Sequence, residues 1–353
     1  MGHSELILQA VTLGRFDEAI AVAREVDPMR GEVRGWVSFW SALAMAHFAL
    51  GDLQGSLETA LRAREAMGPL RHEPLHLELR ARAALGDLTG VDALVQEALR
   101  GHPRPAFFLV DAADLLRLHG NGEEGMRRYR EAVALARAEQ EQDPDPDRDW
   151  VLAEALLALA AGSKHQAGGA ALGGHRDGTE DPGDGPANGR VPGEAEAAAL
   201  EARDLFHALL DLNPHFFDPP TGLGRAAALL GDTAEARRWS DHLAGLDPRA
   251  GHVHLRRARI ASLLGDVEGM VAALELAYRG GYRTQFAFRD DPDMMRHGHH
   301  PAMAALLRPR QRPPAGVPPG SACGGSRTGF RPSTMGSAGL FSARTYTLPA
   351  NEG

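Results

Sequence analysis

Apolar positions in this chain recur at the three- and four-residue spacing of amphipathic helices, and the apolar runs come in pairs. Leu75 and Leu79 belong to the run before Gly86, and Leu88 and Val91 begin the run after it. A Gly-Asp pair separates the two runs. Glycine accepts the left-handed conformation that ends a helix, and aspartate can accept hydrogen bonds from the free amides of the next helix. The pattern therefore predicts helix–turn–helix hairpins.

The phrase that carries this turn is repeated along the chain. Copies read ALGDLQGSL, ALGDLTGVD, LHGNGEEGM, LLGDTAEAR and LLGDVEGMV, and TLGRFDEAI is an outlying copy. The first three of these copies have their turn glycines 35 and 34 residues apart, and the last two have theirs 34 residues apart. The glycines are Gly51, Gly86, Gly120, Gly231 and Gly265. Such a period predicts an array of stacked hairpins.

Several copies resemble the tetratricopeptide repeat, whose pattern of large and small residues extends over 34 positions. The copy near Val37 fills the marked positions with Trp40, Leu43, Ala44, His47, Ser56, Ala60 and Ala63. The copy near Asp218 fills them with Pro220, Leu223, Gly224, Ala227, Ala236, Ser240, Leu243 and Pro248. The match covers about Ser4 to Tyr282. The resemblance implies an all-α, right-handed α-solenoid of about seven such units.

The predicted solenoid occupies residues 4–308 and includes a C-terminal closing helix. Its fifth hairpin is split, with one helix expected over 149–162 and the other over 193–214. Residues 163–192 between them are rich in Gly, Asp and Pro without any period, so we expect a disordered insertion. Residues 309–353 are rich in Pro, Gly and Ser, and we expect a disordered tail there.

Composition and charge exclude several classes of protein. Hydrophobic residues make up 43% of the chain but aromatic ones only 6%, so the core must consist mainly of Ala and Leu. The net charge of −9 argues against a basic nucleic-acid-binding protein. A single cysteine, Cys323, excludes a disulfide framework. No leader and no apolar stretch of membrane-spanning length is present, so we expect a cytoplasmic protein with no membrane insertion.

Candidate sites for catalysis, metals and cofactors are weak. His297, His299 and His300 form RHGHHP, but no spacing typical of a metal site accompanies them, which favours polar histidines on a loop. Lys164, the only lysine, lies beside GGAALGG, which lacks the Gly-Lys-Ser/Thr ending of a phosphate loop. No nucleophile–base arrangement is evident. We therefore expect no catalytic residue, no metal and no cofactor.

In the resembled family, the first helices of the units line a concave groove that takes a segment of a partner. The positions that the resemblance assigns to this groove are Met45, His76, Arg80, Asp114, Arg117, Arg225, His252 and Arg259. Arg80, Arg225 and Arg259 occupy one equivalent position in three units. Because guanidinium groups bind carboxylates in a bidentate way, an acidic partner is one interpretation. The other is that Arg is simply the usual cation of this chain.

The expected function is a non-catalytic scaffold that binds a protein or peptide segment in the concave groove. One alternative is a ligand-responsive regulatory module of a signalling or transcription system. Another is an accessory subunit of an enzyme complex. The sequence indicates neither the partner nor the oligomeric state.

Overall fold

The computed structural model describes residues 3–12, 14–30, 34–68, 72–173, 193–214, 216–280 and 289–307. These residues form helices and turns, and none of them lies in a strand. The helices are α1 (His3–Thr12), α2 (Phe16–Ala23), α3 (Val37–Ala49), α4 (Leu53–Met67), α5 (Glu73–Leu85), α6 (Leu88–Gly101), α7 (Pro105–Leu118), α8 (Gly122–Gln142), α9 (Pro146–Gly173), α10 (Glu194–Leu212), α11 (Asp218–Leu230), α12 (Thr233–Leu246), α13 (Gly251–Leu264), α14 (Val267–Arg279), α15 (Pro292–Met295) and α16 (Pro301–Leu307). No helix in the described ranges is long and apolar enough to cross a membrane.

The Gly-Asp turns have the predicted structure. All five marker glycines have positive φ, including 72° at Gly86 and 86° at Gly231. In most copies the following aspartate is the N-cap of the next helix. For example, the Asp232 carboxylate accepts a hydrogen bond from the Glu235 amide at 2.8 Å. The prediction of paired helices is confirmed for α1–α2, α3–α4, α7–α8, α9–α10, α11–α12 and α13–α14, whose members pack against each other. The described residues thus form an all-α repeat followed by the two short helices α15 and α16.

The chain divides into two compact units at the turn between Leu85 and Gly86. The N-terminal unit contains α1 to α5. The C-terminal unit contains α6 to α15 and the residues of α16 up to Leu306. Each unit has its own hydrophobic core. The single solenoid limits of 4–308 stay a prediction, and the predicted tail over 309–353 lies outside the described residues.

The core of the N-terminal unit is built around aromatic side chains on a background of alanines. Phe16, Phe39 and Trp40 are fully buried. The rings of Phe39 and Trp40 meet edge to face, with centroids 5.3 Å apart. Ala60 and Ala63 of α4 lie against the same cluster. Small residues on one helix leave room for large rings from its neighbours, as the composition predicts.

In the C-terminal unit, the first helices α7, α9, α11 and α13 form a row in which each contacts the next. Glycines permit this close packing. A Cβ at Gly222 of α11 would collide with the ring of Phe206, and one at Gly224 would collide with Ile260 of α13. The glycines of GLGRAAALLG therefore serve helix packing, as expected from the repeat.

The fifth hairpin departs from its predicted limits. Its first helix, α9, runs from Pro146 to Gly173 instead of 149–162, so it extends into the predicted insertion. The extra turns have partners: the Lys164 ammonium donates to the carbonyl oxygens of Ala228 and Leu229, at 3.4 and 3.1 Å, near the end of α11. Cations are favourable at that end of a helix because its carbonyls carry partial negative charge. Residues 174–192 lie outside the described ranges.

The closing segment occupies an unexpected place. The four-residue helix α15 contacts both α13 and α7, the two ends of the row of first helices. In a flat row with helices about 9 Å apart, α7 and α13 would be separated by roughly 27 Å. A helix of four residues is only about 6 Å long. The row must therefore curve around α15, and the segment lies on the inner side of that curve.

Candidate partner-binding groove

The inner side of this row, formed by α7, α9, α11 and α13 of the C-terminal unit, is here called the groove. At the α7 end, the buried Tyr129 hydroxyl donates to a carboxylate oxygen of Asp114. It also accepts a hydrogen bond from Arg117 Nη1 at 3.0 Å, and the Arg117 guanidinium lies 5.5 Å from the centre of the Tyr129 ring. Burial and the nearby Asp114 charge raise the pKa of Tyr129 well above its usual value, so the phenol is neutral. Arg117 is half-buried and faces the groove with a fixed geometry.

At the other end, three pairs of opposite charges link the neighbouring elements. We call these six residues the ion-pair cluster: Glu154 with Arg225 at 2.9 Å, Asp218 with Arg256 at 2.6 Å, and Asp291 with Arg259 at 3.0 Å. All six side chains are at most 12% exposed. Burial raises the pKa of Asp218, with Glu154 adding to the rise and Arg256 opposing it. Low exposure makes each charge depend on its partner, because an unpaired buried charge is costly.

The third pair connects the groove to the segment before α15. Asp291 uses both of its carboxylate oxygens: Oδ1 caps α15 by accepting from the amides of Asp293 and Met294, at 3.0 and 3.1 Å. Its Oδ2 accepts from Arg259 Nε of α13. The next polar contact is a hydrogen bond from the Ser262 hydroxyl to the Asp293 carbonyl at 2.6 Å. The acidic turn that contains Asp291 and Asp293 is thus bound by Arg259 and Ser262 of α13.

Arg296 holds the other end of the same segment. Its guanidinium donates to the Ser262 carbonyl and, at 2.7 Å, to Nε2 of His165 on α9. His165 Nδ1 lies 2.6 Å from the Ala161 carbonyl and 3.8 Å from an oxygen of Asp293. Burial lowers the pKa of His165 although Asp293 opposes the change, so the neutral imidazole is favoured. The side chain of Met294, between these two polar ends, is fully buried.

Three of the residues assigned to the groove by sequence lie in the N-terminal unit. Met45 does not meet the expectation: its side chain is only 2% exposed and packs in the core with Phe39 and Trp40. The reason is that α3 is apolar on all sides and is enclosed by its neighbours. His76 and Arg80 on α5 are half-buried. Their contact with a partner stays a proposal.

The other five lie in the C-terminal unit, where the structure brings four of them together in two groups. Asp114 and Arg117 surround Tyr129, and Arg225 and Arg259 belong to the ion-pair cluster. Arg225, which the sequence assigned to contact with a partner, is instead buried: it is 4% exposed and paired with Glu154. His252 is half-buried, with its ring edge-on to Phe217 at 5.1 Å, and burial lowers its pKa.

The sequence pattern also placed Ser262 on the groove side of α13, but it missed the other residues that complete the groove: Glu154, Asp291, Asp293, Arg296 and His165. A signal for the acidic ones was present. An arginine-bearing face predicted an acidic segment, and DDPD is such a segment in the same chain. The contact between them joins positions 32 residues apart. Periodicity, which reports only on neighbours along a helix, cannot show such a contact.

The histidines do not form a metal site within the described parts of the chain. No group of three or more His, Cys, Asp or Glu side chains there has the arrangement that would hold a metal ion. Within RHGHHP, His297 lies 3.2 Å from the Ser262 carbonyl, and burial lowers its pKa. Cys323 lies outside the described residues.

Comparisons with known proteins return only distant structural matches. No family model and no curated protein matches the chain. Among solved structures, Pseudomonas aeruginosa PilF is 15% identical over 71% of this chain and 95% of that chain, with a TM-score of 0.32. The C-terminal part of a TPR repeat-containing protein from Cytophaga hutchinsonii is 10% identical over 80% and 96%, with a TM-score of 0.33.

A third match is the Rap conjugation gene regulator of plasmid pLS20, in complex with the Phr* peptide. It is 15% identical over 83% of this chain and 71% of that chain, with a TM-score of 0.34. Superpositions this loose carry no argument about function. The class of protein, a repeat of helical hairpins resembling tetratricopeptide repeats, is established by the hairpins of the described residues and their glycine turns.

Proposed function

We propose that this protein is a non-catalytic scaffold that binds an acidic segment of a partner protein in the groove. One observation carries the proposal: the groove already accommodates an acidic turn, with Asp291 on Arg259 and the Asp293 backbone on Ser262. Arg117 lies at the opposite wall, and the Asp293 charge raises its pKa although burial acts against the rise. The same charges that suit DDPD suit a carboxylate-bearing segment of another protein.

Binding partners would be identified by capture from a lysate followed by mass spectrometry. The acidic segment of the partner is then titrated as a peptide by calorimetry. We expect the double variant Arg117→Gln, Arg259→Gln to bind it at least about tenfold more weakly than the parent, because each arginine supplies a charge-assisted contact. Rising salt should weaken the parent complex more than that of the variant.

A matched control removes two arginines from the second helix α8 instead. Arg130 and Arg137 are 53% and 47% exposed, so Arg→Gln at these positions changes the net charge equally without touching the groove. Affinity equal to that of the parent is expected for this control. Equal weakening by both double variants would show that binding follows total charge and would contradict a specific groove.

A further inference from the structure

The residues from Arg289 to His300, here called the inner segment, occupy the very surface where a partner is proposed to bind. Within this segment, Asp291, Asp293 and Met294 are buried against that surface. The contacts are those of a bound peptide. The Asp291 carboxylate pairs with Arg259, the Asp293 carbonyl accepts a hydrogen bond from the Ser262 hydroxyl, and the Met294 side chain is enclosed beside them. The recognition chemistry of the groove can therefore be read from the segment that fills it.

Two properties indicate that the inner segment can leave the groove. Its helix, α15, has four residues, far below the length at which a helix is stable alone, so its order depends on the groove. Its fit is also incomplete. Within the described residues, Asp293 Oδ1 and His300 Nδ1 are buried without a hydrogen-bond partner, and each such atom weakens the fit.

Departure of the inner segment would change the charge of the groove. Arg259, which is 12% exposed, would lose the carboxylate of Asp291, and Arg117 would lose the nearby charge of Asp293. Arg225 and Arg256 would keep Glu154 and Asp218. The emptied groove would then present two arginines without carboxylates from this segment, next to the Ser262 hydroxyl. An acidic ligand would restore that balance.

We propose that the inner segment is an internal competitor, and that the partner's segment repeats its chemistry and displaces it: an aspartate at the start of a short turn, followed within three residues by a buried apolar side chain. This inference rests on the proposed function. Because the groove is open in only a fraction of molecules, the affinity for any partner is reduced by that fraction. Weakening the inner segment raises the affinity.

The test uses the full chain and a fluorescent, end-capped synthetic peptide with the sequence of residues 289–300. Asp291→Asn retains an N-cap side chain but removes the charge that meets Arg259. We expect this variant to bind the peptide at least about tenfold more tightly than the parent does, by fluorescence anisotropy. The same peptide carrying Asp291→Asn should lose most of that gain, because it cannot supply the carboxylate.

Asp290→Asn is the matched control, since it removes the same charge one residue earlier, beside Arg289 and not on Arg259. It should bind the peptide as the parent does. Arg296→Gln is a second route, because it releases the other end of the segment from Ser262 and His165 without altering Arg259. Circular dichroism verifies that each variant is folded. Equal peptide affinity in the parent, Asp291→Asn and Arg296→Gln would overturn the inference.

Amide hydrogen exchange provides an independent readout. The Asp293, Met294 and Met295 amides are bonded to Asp291 and should exchange slowly in the parent. Saturation with an acidic partner should accelerate them, whereas unchanged or increased protection would contradict displacement even if the partner binds. Conversely, peptide binding to Asp291→Asn without any acidic partner would support the competitor and leave the proposed function unsupported. The two failures are thus distinguishable.

Discussion

At the scale of single residues, burial decides what each arginine does. Arg130 and Arg225 both pair with a glutamate, at 2.7 and 2.9 Å. Arg130 is 53% exposed and its pair is screened by water, which limits its contribution to stability. Arg225 is 4% exposed, so loss of its charge would strand Glu154 in a medium of low polarity. Sequence spacing assigned Arg225 to the groove, and only the packing shows that its side chain is buried with Glu154.

Arg225→Met should therefore lower the free energy of unfolding by about 3–5 kcal/mol, as expected when one member of a buried pair is removed. Arg130→Met should change it by less than about 1 kcal/mol. The double variant Glu154→Leu, Arg225→Met should recover much of the loss, because no charge remains unpaired. Urea unfolding followed by circular dichroism measures all three. Similar values for Arg225→Met and Arg130→Met would show that the buried pair has no special role.

At the scale of elements, the hairpin is the feature that sequence predicts best. A turn needs a glycine that can adopt positive φ and an aspartate that can cap the next helix, and both are local properties of the chain. Hence Gly231 and Asp232 could be assigned before the structure was known. The length of α9 could not be predicted in this way. Ser163 to Gly173 has a composition typical of loops, yet contacts from Lys164 and His165 to other helices accompany the extra turns.

Gly231→Val should destabilise the C-terminal unit by about 1–2 kcal/mol or more, since a β-branched residue is strained at a φ of 86°. The matched control is Gly245→Val in α12, where an added side chain meets nothing within 4 Å and φ is not positive. That control should be close to neutral. Thermal unfolding of the two variants would show the difference, and an equal melting temperature for both would mean that the turn tolerates a side chain.

At the scale of the whole C-terminal unit, the groove could be predicted only in part. The resemblance to tetratricopeptide repeats assigned Arg117 and Arg259 to the groove, and the structure gives both of them partners on this inner side. It could not indicate that residues 289–296 fill the groove. A contact between a terminal segment and a distant helix depends on how far the row of helices curves. That curvature depends on many close approaches between helices, such as those at Gly222 and Gly224, and no single spacing along the chain encodes it.

Acid should destabilise this unit. Burial lowers the pKa of His165, His252 and His297 below the ordinary value of 6.5, so the folded unit holds these imidazoles neutral. The unfolded chain takes up protons below pH 6.5 where the folded one resists them. Stability is therefore fully present above about pH 6.5 and decreases as the pH falls below it. The charged and titratable groups that face His165 and His297 are Arg117, Asp293, Arg296 and His299. Those that face His252 are Asp247, His254 and Arg256.

Urea unfolding at pH 7.5 and pH 5.5 measures this effect. The parent should have a lower free energy of unfolding at pH 5.5 than at pH 7.5. The triple variant His165→Gln, His252→Gln, His297→Gln should lose most of that difference. A suitable control is the double variant His207→Gln, His242→Gln, because both residues belong to second helices, α10 and α12, and not to the helices that form the groove. A pH effect of the same size in all three proteins would assign it to other groups.

Lys164 gives the protein an unusual chemical property. It carries the only side-chain amine in the chain, so a reagent that acylates lysine has one side-chain target. Burial lowers the pKa of this amine, and the positive charge of Arg296 lowers it further. A lower pKa leaves more of the amine unprotonated and therefore nucleophilic at neutral pH. When Arg296 moves away, that contribution disappears, so the rate of acylation at this one position reports whether the inner segment is in place.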